Sequence, residues 1–393
     1  MTKPRTTSDA TNNPQVTVTR RGAERARGGH LWIYRSDVSD AGRAPGGAVV
    51  SVRDERGRPV GQALYSDRSE IALRLLTTSG ETIDREWWRR RLLEAAERRK
   101  GIERDADACR LVYSEGDLLP SLIVDRYADV LVVQTLSQGT EAAKATLTEL
   151  LVEEFAPRAV VERNDVRVRA LEGLPSVAGV LYGEPPAELE VTQHGVRFLV
   201  APLAGQKTGA FLDQRENHLA ARSYARGRAL DCFTFNGGFA LSMAPACASV
   251  VGLDISADAV AAARRNAALN GAANVEFREA NVFDALRELE AAGAEFDTIV
   301  LDPPAFAKNR ASVAAAARGY KEINLRALKL LARGGHLVTC TCSYHMTEQM
   351  FLEVVASAAA DARRRVQLVE RRTQARDHPV LVGVPETLYL KCV

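Results

Sequence analysis

The stretch Arg228–Asp254, RALDCFTFNGGFALSMAPACASVVGLD, decides the fold. Ala229–Phe233 is an apolar run carrying Asp231, and Asn236-Gly237-Gly238 is a turn. Phe239–Cys247 can be helical, and Val250–Asp254 is a second apolar run that ends in a carboxylate. Strand, glycine turn, helix and strand make a nucleotide-type βαβ unit. The third glycine of G-x-G-x-x-G is missing, so the turn offers no ready cradle for a dinucleotide pyrophosphate. An adenosine ligand without phosphates suits it better, because paired glycines let the backbone approach and Asp254 can accept from both ribose hydroxyls. S-adenosylmethionine is the candidate cofactor. The alternative is a plain doubly wound sheet whose glycines serve packing.

Working outward, the alternation continues. Ser256 caps a helix closing at Asn270-Gly271, and Val275–Arg278, Thr298–Asp302, His336–Cys340, Val366–Val369 and Tyr389–Val393 read as further strands. Seven strands with helices between them predict an α/β architecture, a Rossmann-like class I methyltransferase sheet over residues 189–393. Upstream, Leu189–Val200 is a hairpin turning at His194-Gly195. It feeds a polar loop, 202–215, and a helix of about Glu216–Ala225. Gly205, Lys207 and Thr208 do not satisfy the P-loop spacing, which argues against phosphate hydrolysis.

The 393 residues exceed one core, so two or three domains are expected. Residues 1–14 read as a disordered tail. Residues 15–80 are short β runs separated by turns, a small β-barrel in which Arg20, Arg21, Arg25 and Arg27 interleave with His30, Trp32 and Tyr34. Such a surface can grip phosphates and stack bases; an aromatic core is the plainer reading. Residues 81–188 hold a basic linker helix capped by Asp84, then a small central α+β unit. Residues 1–110 contain 22 Lys and Arg against 16 Asp and Glu, whereas the rest contain 30 against 34. That imbalance suggests an anionic partner touched by the first part, or simply an arginine-rich solvated surface. Six cysteines without paired spacing and no apolar run of membrane length lead to the expectation of a reduced, cytoplasmic protein.

Ligands of open α/β sheets bind beyond the carboxyl ends of the strands. The polar residues expected there are Asp231, Asp254, Asn281, Asp302 and the run Cys340-Thr341-Cys342-Ser343. Asn281 could accept from an adenine amino group. In Asp302-Pro303-Pro304-Ala305-Phe306 consecutive prolines fix the backbone so that a carbonyl or carboxylate meets a planar amine, with Phe306 free to stack on a flipped base. Cys342, near Asp302 and Lys308, suits a thiolate that adds to carbon 6 of a pyrimidine and so activates carbon 5. An inert buried cysteine is the competing reading. A zinc site from Cys340, Cys342 and His345 lacks a second ligand pair, so no metal is expected.

These motifs, joined by Gln206-Lys207-Thr208-Gly209, Phe211, Asp213-Gln214-Arg215 and Asp377-His378-Pro379, resemble the ribosomal RNA large-subunit methyltransferase I family. The resemblance runs from about Gln15 to Val393. It implies a cytosine-5 RNA methyltransferase with an N-terminal PUA domain, a central α+β domain and a Rossmann domain. It further implies S-adenosylmethionine held by Asp254, Asn281 and the Asp231–Gly238 loop, including Phe233, Asn236 and Gly237. Phe211, Asp213 and Gln214 would lie near the methionine end, and Cys342 would be the nucleophile. Asp302 or a water is the expected proton-abstracting base. Pro303, Pro304, Phe306 and Lys308 would meet the base, and Arg20, Arg21, His30 and Trp32 the RNA. Asn281 departs from the pattern, since many methyltransferases have an acidic residue there. Large-subunit ribosomal RNA or an assembly intermediate is the implied partner, with a homodimer as a candidate assembly. A purine-nitrogen methyltransferase, a non-catalytic RNA-binding assembly factor and a small-molecule methyltransferase are the rival readings.

Overall fold

The computed structural model describes residues 13–205, 210–307 and 309–393. The tail up to residue 12, the Gln206–Gly209 segment and Lys308 lie outside them. The first unit comprises β1 (Gln15–Val18), α1 (Arg20–Arg27), β2 (Trp32–Tyr34), β3 (Val38–Asp40), β4 (Val49–Asp54), β5 (Pro59–Tyr65) and β6 (Ile71–Thr77). Its six strands run in the order β2-β6-β5-β4-β1-β3 around a core that includes Val16, Ile33, Val50, Val52 and Leu73. The arginines between β1 and β2 form a short helix that patterning did not predict. Thr19 caps it, its side chain accepting from Gly22 N.

The second unit holds α2 (Arg85–Glu97), β7 (Ala108–Tyr113), β8 (Leu122–Tyr127), β9 (Val130–Thr135), α3 (Gln138–Ala142), α4 (Lys144–Phe155), β10 (Ala159–Arg163) and β11 (Ala178–Gly183). Asp84 caps α2 as expected, accepting from Trp87 N at 2.8 Å. The positive face of α2 is not free: Arg85 pairs with Glu149 and Glu153, and Arg89 with Glu153 and Glu154, all on α4.

The third unit begins with the hairpin β12 (Leu189–Gln193) and β13 (Val196–Val200). It continues through α5 (Arg215–Tyr224), β14 (Arg228–Cys232), α6 (Gly238–Met243), β15 (Ser249–Asp254), α7 (Ala257–Leu269), β16 (Val275–Glu279), α8 (Val282–Ala291) and β17 (Phe296–Leu301). Then come α9 (Val313–Leu330), β18 (Leu331–Thr341), α10 (Glu348–Asp361) and β19 (Lys391–Cys392). The sheet order is β16-β15-β14-β17-β18-β19, parallel except for β19. Successive strands step outward from β14 on both sides, so the switch point, and with it the ligand crevice, falls at the carboxyl end of β14. Among the described residues the sheet has six strands rather than the expected seven. Val366–Val369 forms no strand: Val366, Leu368 and Val369 are 47%, 45% and 68% exposed, so the segment has no second apolar layer to bury its run. The predicted helix Phe239–Cys247 closes early, because Pro245 turns Ala244–Ala246 into a 3-10 turn.

Candidate active site

A cavity of about 620 Å³ opens beyond the carboxyl ends of β14, β15, β17 and β18. The local sequence explains its shape. After β14 the chain reverses through Phe233 and Phe235, both left-handed at φ 65° and 50°, a conformation that costs aromatic residues on the order of 1 kcal/mol or more each and is characteristic of functional loops. Gly237 follows at φ 92°, and a Cβ there would meet the Phe277 ring at 2.9 Å. A Cβ on Gly238 would lie 2.5 Å from the His218 ring, so only glycine lets α6 begin against that histidine.

Two carboxylates on adjacent strands have opposite environments. Asp254 is held open: its Oδ2 accepts from Phe235 N and its Oδ1 from Ser256 N, each at 2.9 Å. Each oxygen keeps a lone pair, and the residue lines the cavity. Asp231 is fully buried behind it, its Oδ2 accepting from Thr234 Oγ1 at 2.6 Å and Ala240 N at 2.9 Å. Burial pushes the Asp231 carboxyl up to about 7, with the Asp254 charge adding to the rise. Its Oδ1 has no partner among the described residues. Asp231 therefore braces the turn from beneath.

Of the other expected residues, Phe211, Asp213, Gln214, Phe233, Asn236, Gly238, Asp302, Pro303, Pro304 and Cys342 line the cavity. Gln214 Nε2 donates to Asp302 Oδ1 at 2.8 Å, and Tyr389 Oη donates to Asp213 Oδ2 at 2.6 Å. Cys342 Sγ lies 3.9 Å from the Pro303 carbonyl oxygen. Its neighbours are pinned by hydroxyls: Thr341 Oγ1 donates to Tyr320 Oη at 2.7 Å, and Ser343 Oγ lies 3.0 Å from the same phenol.

The remaining residues are placed elsewhere. Asn281 does not line the cavity; its amide oxygen caps α8 by accepting from Phe283 N at 2.9 Å, so an adenine amino group would have to share it. Phe306 is stacked away from the opening, 4.6 Å from the Tyr320 ring and 6.0 Å from Phe283. In the first unit, Trp32 Nε1 donates to Glu115 Oε1 at 2.9 Å and His30 Nε2 lies 3.2 Å from Glu386 Oε2, contacts that dock this unit on the other two. Arg20 makes an exposed pair with Glu24, whereas the exposed Arg21 is anchored on the buried Asp37.

Several residues of the site were not foreseen. Gln193 and Phe198 reach it from the hairpin, and Tyr389 and Leu390 from the last strand's approach. His218 is held neutral, its imidazole pushed down to about 3 by burial. Lys391 donates to the Ser343 and Tyr389 carbonyls, each at 3.2 Å. Burial lowers the Lys391 ammonium and the Cys342 charge opposes that, which places the two groups in electrostatic reach. The strand-end carboxylates, the Asn236-Gly237-Gly238 turn and Cys342 give no hint of Lys391, because the residue joins the site only through antiparallel pairing of Thr341 with Lys391.

The cavity fits an adenosyl sulfonium. Asp213, Asp254 and Asp302 line it, and no Lys or Arg does among the described residues. A positively charged donor is favoured there and a polyphosphate is not. The fold and this acidic crevice at the switch point define an S-adenosylmethionine-dependent methyltransferase. Comparison with known proteins agrees: the family model for S-adenosylmethionine-dependent methyltransferase matches residues 118–386, and that for a PUA-like domain matches residues 16–78. The ribosomal RNA large subunit methyltransferase I of Shewanella amazonensis is 42% identical over 371 residues, 92% of this chain and 94% of that protein. The Klebsiella pneumoniae protein of the same name is likewise 42% identical, over 92% and 93% of the two chains. The chain belongs to the ribosomal RNA large subunit methyltransferase I family. Among solved structures, SMU.776 complexed with S-adenosylhomocysteine superposes with a TM-score of 0.83 at 18% identity, over 96% of this chain and 98% of that one. A candidate S-adenosylmethionine-dependent methyltransferase from Streptococcus mutans gives 0.81, also at 18% identity. Both share the fold.

Proposed function

We propose that the chain methylates carbon 5 of a cytosine in large-subunit ribosomal RNA through a covalent bond between Cys342 and the base. The relatives' names support the RNA; the observation that carries the chemistry is that Cys342 lines the same cavity as Asp254 and Asp302. Asp254 receives the ribose hydroxyls of S-adenosylmethionine, with Phe233, Asn236, Gly237 and Gly238 around the adenosine and Phe211, Asp213 and Gln214 toward the methionine. Asp231 and Asn281 act from behind, bracing the turn and the start of α8. Bound there, the cofactor supplies an electrophilic methyl group.

The Lys391 ammonium favours the ionised form of Cys342. The thiolate Sγ bonds to carbon 6, and the electrons of the 5,6 double bond move to carbon 5, which becomes nucleophilic. After methylation carbon 5 still carries its hydrogen. Asp302, or a water it holds, removes that proton; the electron pair restores the double bond and Sγ leaves. Pro303 and Pro304 form a rigid wall against the flipped base, Phe306 supports that wall by packing on Tyr320, and Lys308 lies on the same segment. In the first unit, Arg20 exchanges its exposed partner Glu24 for a phosphate, Arg21 offers its exposed guanidinium beside it while staying anchored on the buried Asp37, and His30 and Trp32 hold the barrel in place for RNA.

The test uses ribosomal RNA fragments carrying 5-fluorocytidine, whose fluorine cannot be removed as a proton. Wild-type protein with S-adenosylmethionine is expected to form an adduct that survives denaturing electrophoresis, and Cys342→Ala to form none. Unchanged methylation by Cys342→Ala would sink the thiol mechanism and favour a purine nitrogen as acceptor.

A further inference from the structure

Beside the cavity lies a rim of aromatic and cationic groups that methyl transfer itself does not use. Tyr344 and His345 follow Cys342 directly in the chain after Ser343 and stand edge to face, 5.2 Å between centroids. Tyr344 is 43% exposed, and its hydroxyl makes no hydrogen bond among the described residues. A packing tyrosine next to a rigidly held backbone would be covered or bonded. Across the rim, the Arg25 guanidinium of α1 lies over the Tyr34 ring at 4.7 Å. Neither Arg25 nor the exposed Arg310 enters an ion pair among the described residues.

The two sides form one surface. His30 meets Glu386 at 3.2 Å, and a Cβ on Gly383 would lie 2.5 Å from the Gly29 carbonyl oxygen, so the PUA-like unit is seated against the loop before β19. Burial, Glu386 and Tyr34 raise the Tyr344 phenol while Arg310 lowers it, so each of these three groups lies within electrostatic reach of Tyr344.

We propose that Tyr344 and His345, with Arg310 beside them and the Arg25–Tyr34 pair across the rim, form a stacking platform for unpaired nucleotides flanking the target base, so that the substrate is single-stranded RNA at the modified position. The proposal rests on the RNA-methyltransferase reading above and names its substrate class. Aromatic faces take any base, at about 1–3 kcal/mol per stacked base. The two arginines neutralise the phosphates that accompany those bases, whereas Glu386, already partnered by His30, keeps the backbone off its side of the rim. A base must leave its stack to reach Cys342. That step costs a few kcal/mol in a duplex and little in an unpaired segment whose neighbours already stack on protein.

Fluorescence anisotropy tests this with a fluorescein-labelled single-stranded RNA of about 12 nucleotides, the same sequence closed into a duplex, and the full chain with S-adenosylhomocysteine. Tyr344→Ala is expected to bind the single strand about tenfold more weakly, while Tyr344→Phe and Tyr344→Trp keep wild-type affinity. Arg310→Ala is expected to reduce the slope of log affinity against log salt by about one. Calorimetry with S-adenosylhomocysteine should give wild-type values for every variant, which excludes misfolding. Unchanged binding by Tyr344→Ala, an equal loss in Tyr344→Phe, or duplex bound as tightly as single strand each overturns the platform. The Cys342→Ala experiment reads separately: it can fail while the platform stands, and the platform can fail while the adduct forms.

Discussion

The two halves of the cavity are rigid for different reasons. On the donor side, at β14 and β15, main chain does the holding: backbone N–H groups of Phe235 and Ser256 fix Asp254, and Ala240 N helps fix Asp231. On the acceptor side, at β17 and β18, prolines and a hydroxyl network hold the chain: Pro303 and Pro304 line the wall, while Thr341, Ser343 and Tyr320 secure the residues flanking Cys342. In the proposed reading, donor binding is thus built into the backbone of one βαβ unit. The proposed acceptor chemistry depends on side chains from three separate segments, and the halves should therefore fail independently.

The largest effect expected is a crossed loss. Cys342→Ala should lower turnover by roughly 10⁴-fold or more, as removal of a covalent nucleophile does, and leave S-adenosylhomocysteine affinity unchanged in calorimetry. Asp254→Ala should do the reverse in kind, weakening that affinity by about 100-fold, since two hydroxyl bonds to a charged acceptor are lost and two backbone donors are left without their partner. If either variant loses both properties, the halves are coupled and the comparison breaks.

Next in size is Gly238→Ala. The new methyl would meet the half-buried His218 ring at 2.5 Å, so α6 or the ring must shift to admit it. A cost of about 2 kcal/mol is expected, seen as a fall in thermal midpoint of several degrees together with weakened cofactor binding. A variant with wild-type stability would mean that the donor half adjusts more easily than its backbone bonds imply.

The donor half was largely legible in the sequence for the same reason that it is rigid. Strands of a parallel sheet are buried on both faces and read as unbroken apolar runs, so β14, β15 and β17 fell close to their expected bounds and their terminal carboxylates came with them. Cys342 was legible too, because it closes the next run. What patterning missed are residues whose place depends on pairing between distant segments: Gln193 from the hairpin, His218 from α5, Tyr389 from the approach to the last strand and Lys391 from the strand itself. Charge was legible in total and misleading in detail. The arginines of α2 form part of the basic excess before residue 110, yet Arg85 and Arg89 face glutamates of α4. Val366–Val369 has a strand's composition but no buried layer to lie against.

The smallest effect concerns Asp231, the carboxylate that tells a bracing role from a binding one. Its ordinary value near 4 is raised to about 7 by burial, so the fold favours the protonated form. The stabilisation is full below about pH 4 and is lost as the pH rises through 7, because above that value a charge must be carried without solvent. Between pH 6 and pH 8 the ligand-free protein should lose about 1.4 kcal/mol from this residue alone, the worth of one pKa unit. Asp231→Asn cannot ionise but keeps an oxygen for Thr234 and Ala240. Its own amide changes stability by an amount that does not vary with pH, so the difference between variant and wild type isolates the titration from every other group. Urea unfolding at pH 6, 7 and 8 measures that difference. Wild type should weaken relative to Asp231→Asn as the pH rises. Parallel curves would mean that Asp231 stays ionised when buried, and would make it a direct partner for a cationic ligand instead of a brace beneath the turn.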